Sequence, residues 1–258
     1  MKIPSFPYNK KAIGKRILAI LFILIIWQIF AMHINNNILI PSPIETLSSV
    51  FTLLFKSATW HSIGITLTRV IRGLCISLLL SLVLLFLYEA DHRTEKLFTP
   101  VVTLISSIPN ISYMILAIIW LGSEGSVSVV TMMVLFPVTF QGLFSAVLDE
   151  EESLKDVQSL YQESFLYRIR MHLLPMLSIT ILRTMKTALQ LGFKVGIMAE
   201  IVASVRSGIG RSMHFANLNL NTAEVLAWTL IIILLSMCIT ALLDKLLKLR
   251  LQHEERAG

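Results

Sequence analysis

The sequence predicts an all-α protein that crosses a membrane several times. Of its 258 residues, 55% are hydrophobic and only 15% are charged, whereas soluble domains carry about 25% charged residues. The mean hydropathy is +0.75, and the apolar residues form runs close to the ~20 residues that span a bilayer as a helix. This composition argues against a water-soluble globular enzyme and a disordered chain, and two cysteines are too few for a disulfide scaffold.

Three uncharged segments predict membrane-spanning helices most clearly, and a fourth apolar segment, 97–121, contains Pro100 and Pro109. We expect a kink or a break near Pro109, because proline removes a backbone donor and clashes with the preceding turn. The other three segments contain no charged residue and are 17–32, 127–148 and 225–243.

Two further segments are apolar but carry charges. The segment 63–88 has Arg69 and Arg72 near its beginning, and 176–203 is the most polar of all. A hydropathy window alone can miss the latter. The charged residues within it are Arg183, Lys186, Lys194 and Glu200.

The distribution of Lys and Arg predicts that both chain ends lie in the cytoplasm. With that orientation and six spans, fourteen of the 22 basic residues fall on the inner side and three on the outer side. The formal charge of +6 then reflects topology and contact with lipid headgroups, so it does not indicate a nucleic-acid partner.

Motifs for catalysis are missing from the sequence. The six His residues do not form a metal-binding spacing, and no G-x-S-x-G motif occurs. Gly14-Lys15 does not complete a phosphate-binding loop, because Asn9 stands where that loop needs glycine. We therefore expect no enzyme activity and no cofactor. Driven transport would need energy from another subunit or from an ion gradient.

The segment 149–175 predicts an amphipathic helix outside the membrane. It begins with four acids, Asp149 to Glu152, and its apolar residues then recur every three or four positions as far as Ile169. Leu174-Pro175 ends it. The pattern alone fits two interpretations, a surface helix at the lipid interface or a docking helix for a cytoplasmic partner.

Short motifs follow one another along nearly the whole chain. In this order they resemble the inner-membrane permease subunits of binding-protein-dependent ABC importers, and most closely the branch for sulfonates, taurine and nitrate. The motifs are Pro41-Ser42-Pro43, Thr66-Leu67-Thr68-Arg69, Ser107-Ile108-Pro109, Trp120-Leu121-Gly122, Phe136-Pro137, Ala199-Glu200 and Gly208-Ile209-Gly210.

The resemblance implies a type I importer permease in a bacterial inner membrane. It implies a homodimer or a paired permease, a pair of cytoplasmic ATP-binding subunits that hydrolyse ATP, and an extracellular solute-binding protein. The implied organisation is a cytoplasmic segment 1–16, a first transmembrane helix 17–34, a five-helix permease domain 62–247 with a coupling helix at about 149–170, and a cytoplasmic tail 248–258.

The coupling helix departs from the pattern of the family. Aligned on Leu174-Pro175, the chain keeps an acid but places larger side chains where the family has two alanines and a glycine. These side chains imply an altered groove in the ATP-binding subunit, and they leave a non-coupling scaffold paralogue as an alternative. The residues implied to dock the ATPase are Asp156, Val157, Gln158, Gln162 and Glu163.

Two predicted spans each carry small residues at every fourth position, which form a stripe along one helix face. Each stripe ends in a charged residue. Small side chains every four residues let helices approach closely in lipid, so we expect the stripes to face each other and to bring Arg69 and Glu200 together near the outer face. The alternative is that Arg69 extends to headgroups and Glu200 to water. The stripes are Arg69, Gly73, Ser77, Ser81 and Ala188, Gly192, Gly196, Glu200.

The candidate gate or pathway residues are Arg69, Arg72, Lys194 and Glu200. Lys194 is in mid-span, which favours a position facing a cavity, and either cation could attract an anion. A secondary transporter or channel is the alternative function. It would need an ion-coupling carboxylate in mid-membrane, and Glu200 is near the end of its span.

The outer segment 204–223 is long for this topology. Gly208 and Gly210 predict tight backbone turns. The last residues of this segment predict a helix that begins at Asn221 or Thr222, with Glu224 in its first turn. The resemblance implies that the outer surface here receives the solute-binding protein.

Overall fold

A computed structural model describes the backbone of residues 10–158 and 174–257, and the side chains of Lys15, 18–148 and 176–252. Every regular element in these ranges is helical, which confirms the all-α prediction. A short 3₁₀ turn, His92–Thr94, precedes the fourth helix. The α-helices are α1 (Lys10–Ile34), α2 (Pro43–Leu54), α3 (Ser57–Ala90), α4 (Glu95–Ser107), α5 (Asn110–Gln158), α6 (Leu174–Val202), α7 (Ile209–Leu218) and α8 (Thr222–Ala257).

Three stretches in the described residues are long and apolar enough to cross a membrane. They are Ser57–Ala90, Asn110–Leu148 and Thr222–Gln252. With about 1.5 Å of rise per residue, each exceeds the ~30 Å of a bilayer core. Shorter apolar helices run over Leu18–Ile34 and over α2. The chain thus has the helices of a multi-pass membrane protein, and the count of six spans stays a prediction.

The structure breaks the helix at Pro109. α4 ends at Ser107, and Ile108 is extended, with φ −74° and ψ 129°. The proline disfavours helical geometry in the residue before it. Tyr113 then donates a hydrogen bond of 2.8 Å from its hydroxyl to the carbonyl of Ile108, which satisfies an acceptor that the break sets free. Of the two predicted outcomes, a kink or a break, the structure shows the break.

A second break divides α5 at Gly122, which the sequence analysis did not predict. Gly122 has φ 69° and ψ 177°, a conformation that side chains with a Cβ rarely adopt. The helix therefore consists of two parts, 110–121 and 123–158. The second part begins one residue before Glu124.

The chain divides into two compact units. One combines the N-terminal part up to Lys56 with Phe215–Ile231, and the other combines Ser57–His214 with the C-terminal part from Ile232. In the first unit, Ser42 and Glu45 cap the start of α2 reciprocally. Glu45 N donates to Ser42 Oγ at 3.2 Å, and Ser42 N donates to Glu45 Oε2 at 2.9 Å.

The start of α8 lies in the same unit. The helix begins at Thr222, and Asn221 accepts a hydrogen bond of 3.1 Å from the backbone of Glu224. Glu224 is in the first turn, so the predicted beginning of this helix is confirmed.

In the second unit, the stripe of small residues on α3 faces α5. A Cβ on Gly73 would lie 2.8 Å from Thr131 Cβ. Ser77 Oγ donates to the carbonyl of Met132 at 2.9 Å, and the hydroxyls of Ser81 and Thr139 are 2.8 Å apart. Helices α3 and α5 thus approach closely along this stripe.

The stripe on α6 is covered differently. A Cβ on Gly196 would lie 2.7 Å from a methyl group of Val70, and one on Gly192 would lie 3.1 Å from both Val70 and Leu135. The α6 stripe thus receives branched side chains from α3 and α5. The prediction that the two stripes face each other is wrong, because α5 occupies the small face of α3.

Candidate functional site

The side chain of Glu200 is buried completely near the end of α6. Thr66 Oγ1 is 3.0 and 2.9 Å from its two carboxylate oxygens, so the hydroxyl donates into the carboxylate. Gly210 N donates to Oε2 at 2.8 Å. These donors offset the loss of hydration that burial of a carboxylate entails.

The turn between α6 and α7 is shaped around this carboxylate. Gly208 has φ 127°, and a Cβ there would lie 2.5 Å from Glu200 Oε1. Ile209 N donates to Thr66 Oγ1 at 2.8 Å. The first backbone N–H groups of α7 thus point at Glu200 and at its partner Thr66, which is how helix N-termini hold anions. The tight turn that the glycines predict is confirmed at Gly208.

Arg69 pairs with Glu200. Arg69 Nη1 lies 2.6 Å from Glu200 Oε1 and donates to the carbonyl of Ser207 at 2.7 Å. The guanidinium is buried. The predicted contact between these two charges is observed, whereas its function stays a prediction.

A second carboxylate contacts the same guanidinium, and sequence reasoning missed it. Glu124 accepts from Arg69 Nη2 through Oε2, and from Arg206 N at 2.8 Å through Oε1. Its side chain is 48% exposed. Glu124 lies between two predicted spans, and no helical spacing links it to Arg69. One signal pointed to it, since the predicted topology places residues 122–126 and Arg69 towards the same side of the membrane.

One guanidinium and two carboxylates therefore form a single cluster. We call Thr66, Arg69, Glu124 and Glu200 the Arg69 network. It connects α3, the second part of α5, the end of α6 and the turn before α7. With all three groups ionised, its formal charge is −1.

A cleft of about 510 Å³ opens beside this network. Arg69 and Glu124 form part of its wall, and the exposed Arg72 lies one helical turn from Arg69. We call it the Arg72 cleft. Its lining residues are His61, Gly64, Ile65, Thr68, Arg69, Arg72, Glu124 and Ser128.

Lys194 is not one of the residues that line the Arg72 cleft. It is exposed on α6, on the same helix face as Thr187 and Gln190, and Gln190 Nε2 donates to Thr240 Oγ1 at 3.2 Å. This face is polar within a mainly apolar helix. The predicted position of Lys194 against a cavity stays a prediction.

A second ion pair joins the middle of α6 to α8. Lys186 Nζ lies 2.6 Å from Asp244 Oδ1, and the two side chains are 38% and 43% exposed. The structure thus pairs Lys186 within the chain.

The side chains of the residues implied to dock an ATPase all lie outside the described part of the chain. The backbone of α5 continues as a helix to Gln158 and so includes Asp156 and Val157. Gln162 and Glu163 lie outside the described residues. The docking assignment therefore stays a prediction.

Comparison with known proteins adds a second line of evidence. No protein-family model matches the chain. "Formylaminopyrimidine transport permease protein ThiX" of Halalkalibacterium halodurans is 26% identical over 147 residues, which cover 56% of this chain and 55% of ThiX. The chain thus aligns with about half the length of that relative.

Two further relatives align over almost the whole chain. "Probable ABC transporter permease protein" of Haemophilus influenzae is 24% identical over 237 residues, or 90% of this chain and 95% of the relative. "Putative aliphatic sulfonates transport permease protein SsuC" of Bacillus subtilis is 22% identical over 239 residues, or 90% of this chain and 86% of the relative. Over most of its length the chain is therefore similar to ABC transporter permeases, one of which is named for aliphatic sulfonates, and its apolar helices agree with that similarity.

Proposed function

We propose that this chain is the membrane-spanning subunit of an ATP-driven importer that moves a small solute into a bacterial cell. The observation that carries the proposal is the alignment of two ABC transporter permeases along 90% of the chain. The buried Arg69 network supports it, because charges inside a membrane helix bundle mark functional sites. Both chain ends lie in the cytoplasm in this proposal, as the distribution of Lys and Arg indicates.

Three kinds of partner belong to the proposal. A pair of cytoplasmic ATP-binding subunits hydrolyses ATP and docks at the segment around Asp156 to Glu163. A solute-binding protein delivers the solute on the outer side, and a second permease subunit completes the path. The names of two relatives refer to a formylaminopyrimidine and to aliphatic sulfonates, so we place the solute among small polar organic molecules.

The candidate gate residues have distinct roles in this scheme. Arg69 and Glu200 join α3 to α6 and hold the outer end of the bundle together. Arg72 lies in the Arg72 cleft and Lys194 on the polar face of α6, where each contacts the path. ATP-driven movement at the coupling helix then alternates access to that path from the two sides.

Co-purification tests the proposal. The tagged full-length chain, extracted from its native membrane, should bring down an ATP-binding subunit. After reconstitution in liposomes with that subunit, ATP turnover should rise when the solute-binding protein and its solute are added outside. If the chain purifies alone and instead carries solute along an ion gradient, the importer proposal fails in favour of a secondary transporter.

A further inference from the structure

Glu124 and Glu200 share Arg69, but their surroundings differ. Glu200 is completely buried and also accepts from Thr66 and Gly210. The Glu124 side chain is half-exposed, and Arg206 N supplies its other contact in the described structure. Separation of Glu200 from Arg69 would leave a charge in a dry site, whereas Glu124 can return to water.

Charge balance also makes the Glu124 contact the easier one to break. Without Glu124, Arg69 and Glu200 remain a neutral pair. With Glu124, the network has one carboxylate more than it has guanidinium groups. Release of Glu124 therefore removes an excess charge from the cluster and leaves the buried pair intact.

A break in the helix lies two residues before Glu124. Gly122 takes φ 69°, and a Cβ there would meet nothing within 4 Å. The glycine is thus required by the backbone conformation and not by close packing. Positions of this kind absorb changes of backbone angle when parts of a helix move.

Apolar contacts hold α5 on both sides of Gly122. Met114 and Ala117 of the first part share one buried cluster with Val127 and Val130 of the second part and with residues of α6. Apolar contacts of this type have little directional preference. Just after Gly122, Glu124 ties the beginning of the second part to α3 and to the turn before α7 through directed polar contacts.

We propose that Glu124 is a reversible clamp on this helix. Its release from Arg69 lets residues 110–121 reorient relative to 123–158 at Gly122, and so reshapes the Arg72 cleft that Glu124 lines. A role of this movement in transport rests on the proposed function. The movement itself does not, because it is a property of the single chain.

Distance measurement by pulsed electron paramagnetic resonance tests the clamp. The full-length chain in lipid nanodiscs would carry Cys75→Ser and Cys238→Ser, with spin labels on Trp120→Cys and Leu79→Cys. Trp120 precedes Gly122 and is 73% exposed, and Leu79 of α3 is 62% exposed. Dilution with unlabelled chain removes distances between two copies.

A graded series at Glu124 makes the test decisive. We expect one main distance for the unaltered residue, little change for Glu124→Asp, a second population for Glu124→Gln, and the largest second population for Glu124→Lys, which repels Arg69. Glu224→Gln is the matched control, because Glu224 is also a carboxylate in the first turn of a helix. It should leave the distribution unchanged.

Two results would overturn the clamp. One is an identical distribution in the unaltered chain and in Glu124→Gln, and the other is an equal broadening in Glu124→Gln and Glu224→Gln. If Glu124→Lys does not fold, the milder Glu124→Gln decides. An importer that fails the co-purification test could still show the second population, so the two proposals fail separately.

Discussion

Two ion pairs link α6 to its neighbours, and their nearest atoms are equally far apart. Both Arg69–Glu200 and Lys186–Asp244 show an N–O distance of 2.6 Å. The side chain of Arg69 is 8% exposed and that of Glu200 is 0% exposed. The corresponding values for Lys186 and Asp244 are 38% and 43%. The contact distance therefore does not rank the two pairs, whereas burial and the number of further donors do.

The difference teaches that the surroundings of Glu200 require a particular charge, whereas those of Lys186 and Asp244 do not. Glu200 is surrounded by donors that are fixed in the backbone and in Thr66, so the site accepts only an anion. Lys186 and Asp244 are partly exposed at the surface of the chain, so this pair is less enclosed than Arg69 and Glu200. The following predictions test this contrast.

Charge reversal should separate the pairs most strongly. The double variant Arg69→Glu/Glu200→Arg should give almost no folded protein, because the Gly210 N–H is a donor and cannot accept a hydrogen bond from a guanidinium. Lys186→Asp/Asp244→Lys should fold to near the original yield. Size-exclusion chromatography of the detergent-extracted chain measures both. Recovery in the first double variant would mean that charge pairing alone defines the Glu200 site.

Removal of one carboxylate should have the next largest effect. Glu200→Ala leaves the half-exposed Glu124 as the charged partner of the buried Arg69, which still donates to the carbonyl of Ser207, and we expect a loss of about 3–5 kcal/mol in the free energy of unfolding. Asp244→Ala is the matched control, with an expected loss within about 1 kcal/mol. Chemical unfolding in detergent compares them, and equal losses would contradict the contrast.

The turn that encloses Glu200 should tolerate no Cβ. Gly208→Ala combines a positive φ with a contact of 2.5 Å to Glu200 Oε1, so we expect a loss of at least about 1–3 kcal/mol. Gly64→Ala is the control, because nothing lies within 4 Å of its Cβ position. Alanine there should be neutral or stabilise α3 by about 0.5–1 kcal/mol. Similar melting temperatures for the two variants would argue against a rigid turn.

The exposed pair should give the smallest effect. Lys186→Met keeps most of the side-chain volume and removes the charge, and we expect a change within about 1 kcal/mol that shrinks further in the salt-rich buffers used for unfolding. Thermal unfolding at low and high ionic strength measures it. A large loss that salt does not affect would show that this pair is as isolated from water as Arg69–Glu200.

The sequence predicted the contact of Arg69 with Glu200 but not the arrangement around it. A charge at the end of each small-residue stripe was enough to suggest that the two meet. A period of four identifies residues on one face of a helix, but not the helix that covers that face. The actual neighbour of Gly73 is α5, so the stripes do not face each other.

Features that are determined by neighbouring residues could be predicted from the sequence, whereas a contact between residues far apart in the sequence could not. The break at Pro109 and the helix start at Thr222 follow from neighbouring residues, and both were predicted. The capping pair Ser42 and Glu45 was equally readable, yet α2 was not predicted. Glu124 lies 55 positions from Arg69, and only the folded chain brings the two together.

The closed turn after α6 has a mechanical consequence. α6 has 29 residues and is about 43 Å long, and a helix of this length moves as a stiff rod. Because Glu200 bonds to Gly210 and to Thr66, the end of the rod is fastened to the beginning of α7 and to α3. A displacement of α6 along its axis would thus act on these two helices through Glu200. The carboxylate makes the position of α6 and the positions of α3 and α7 depend on one another.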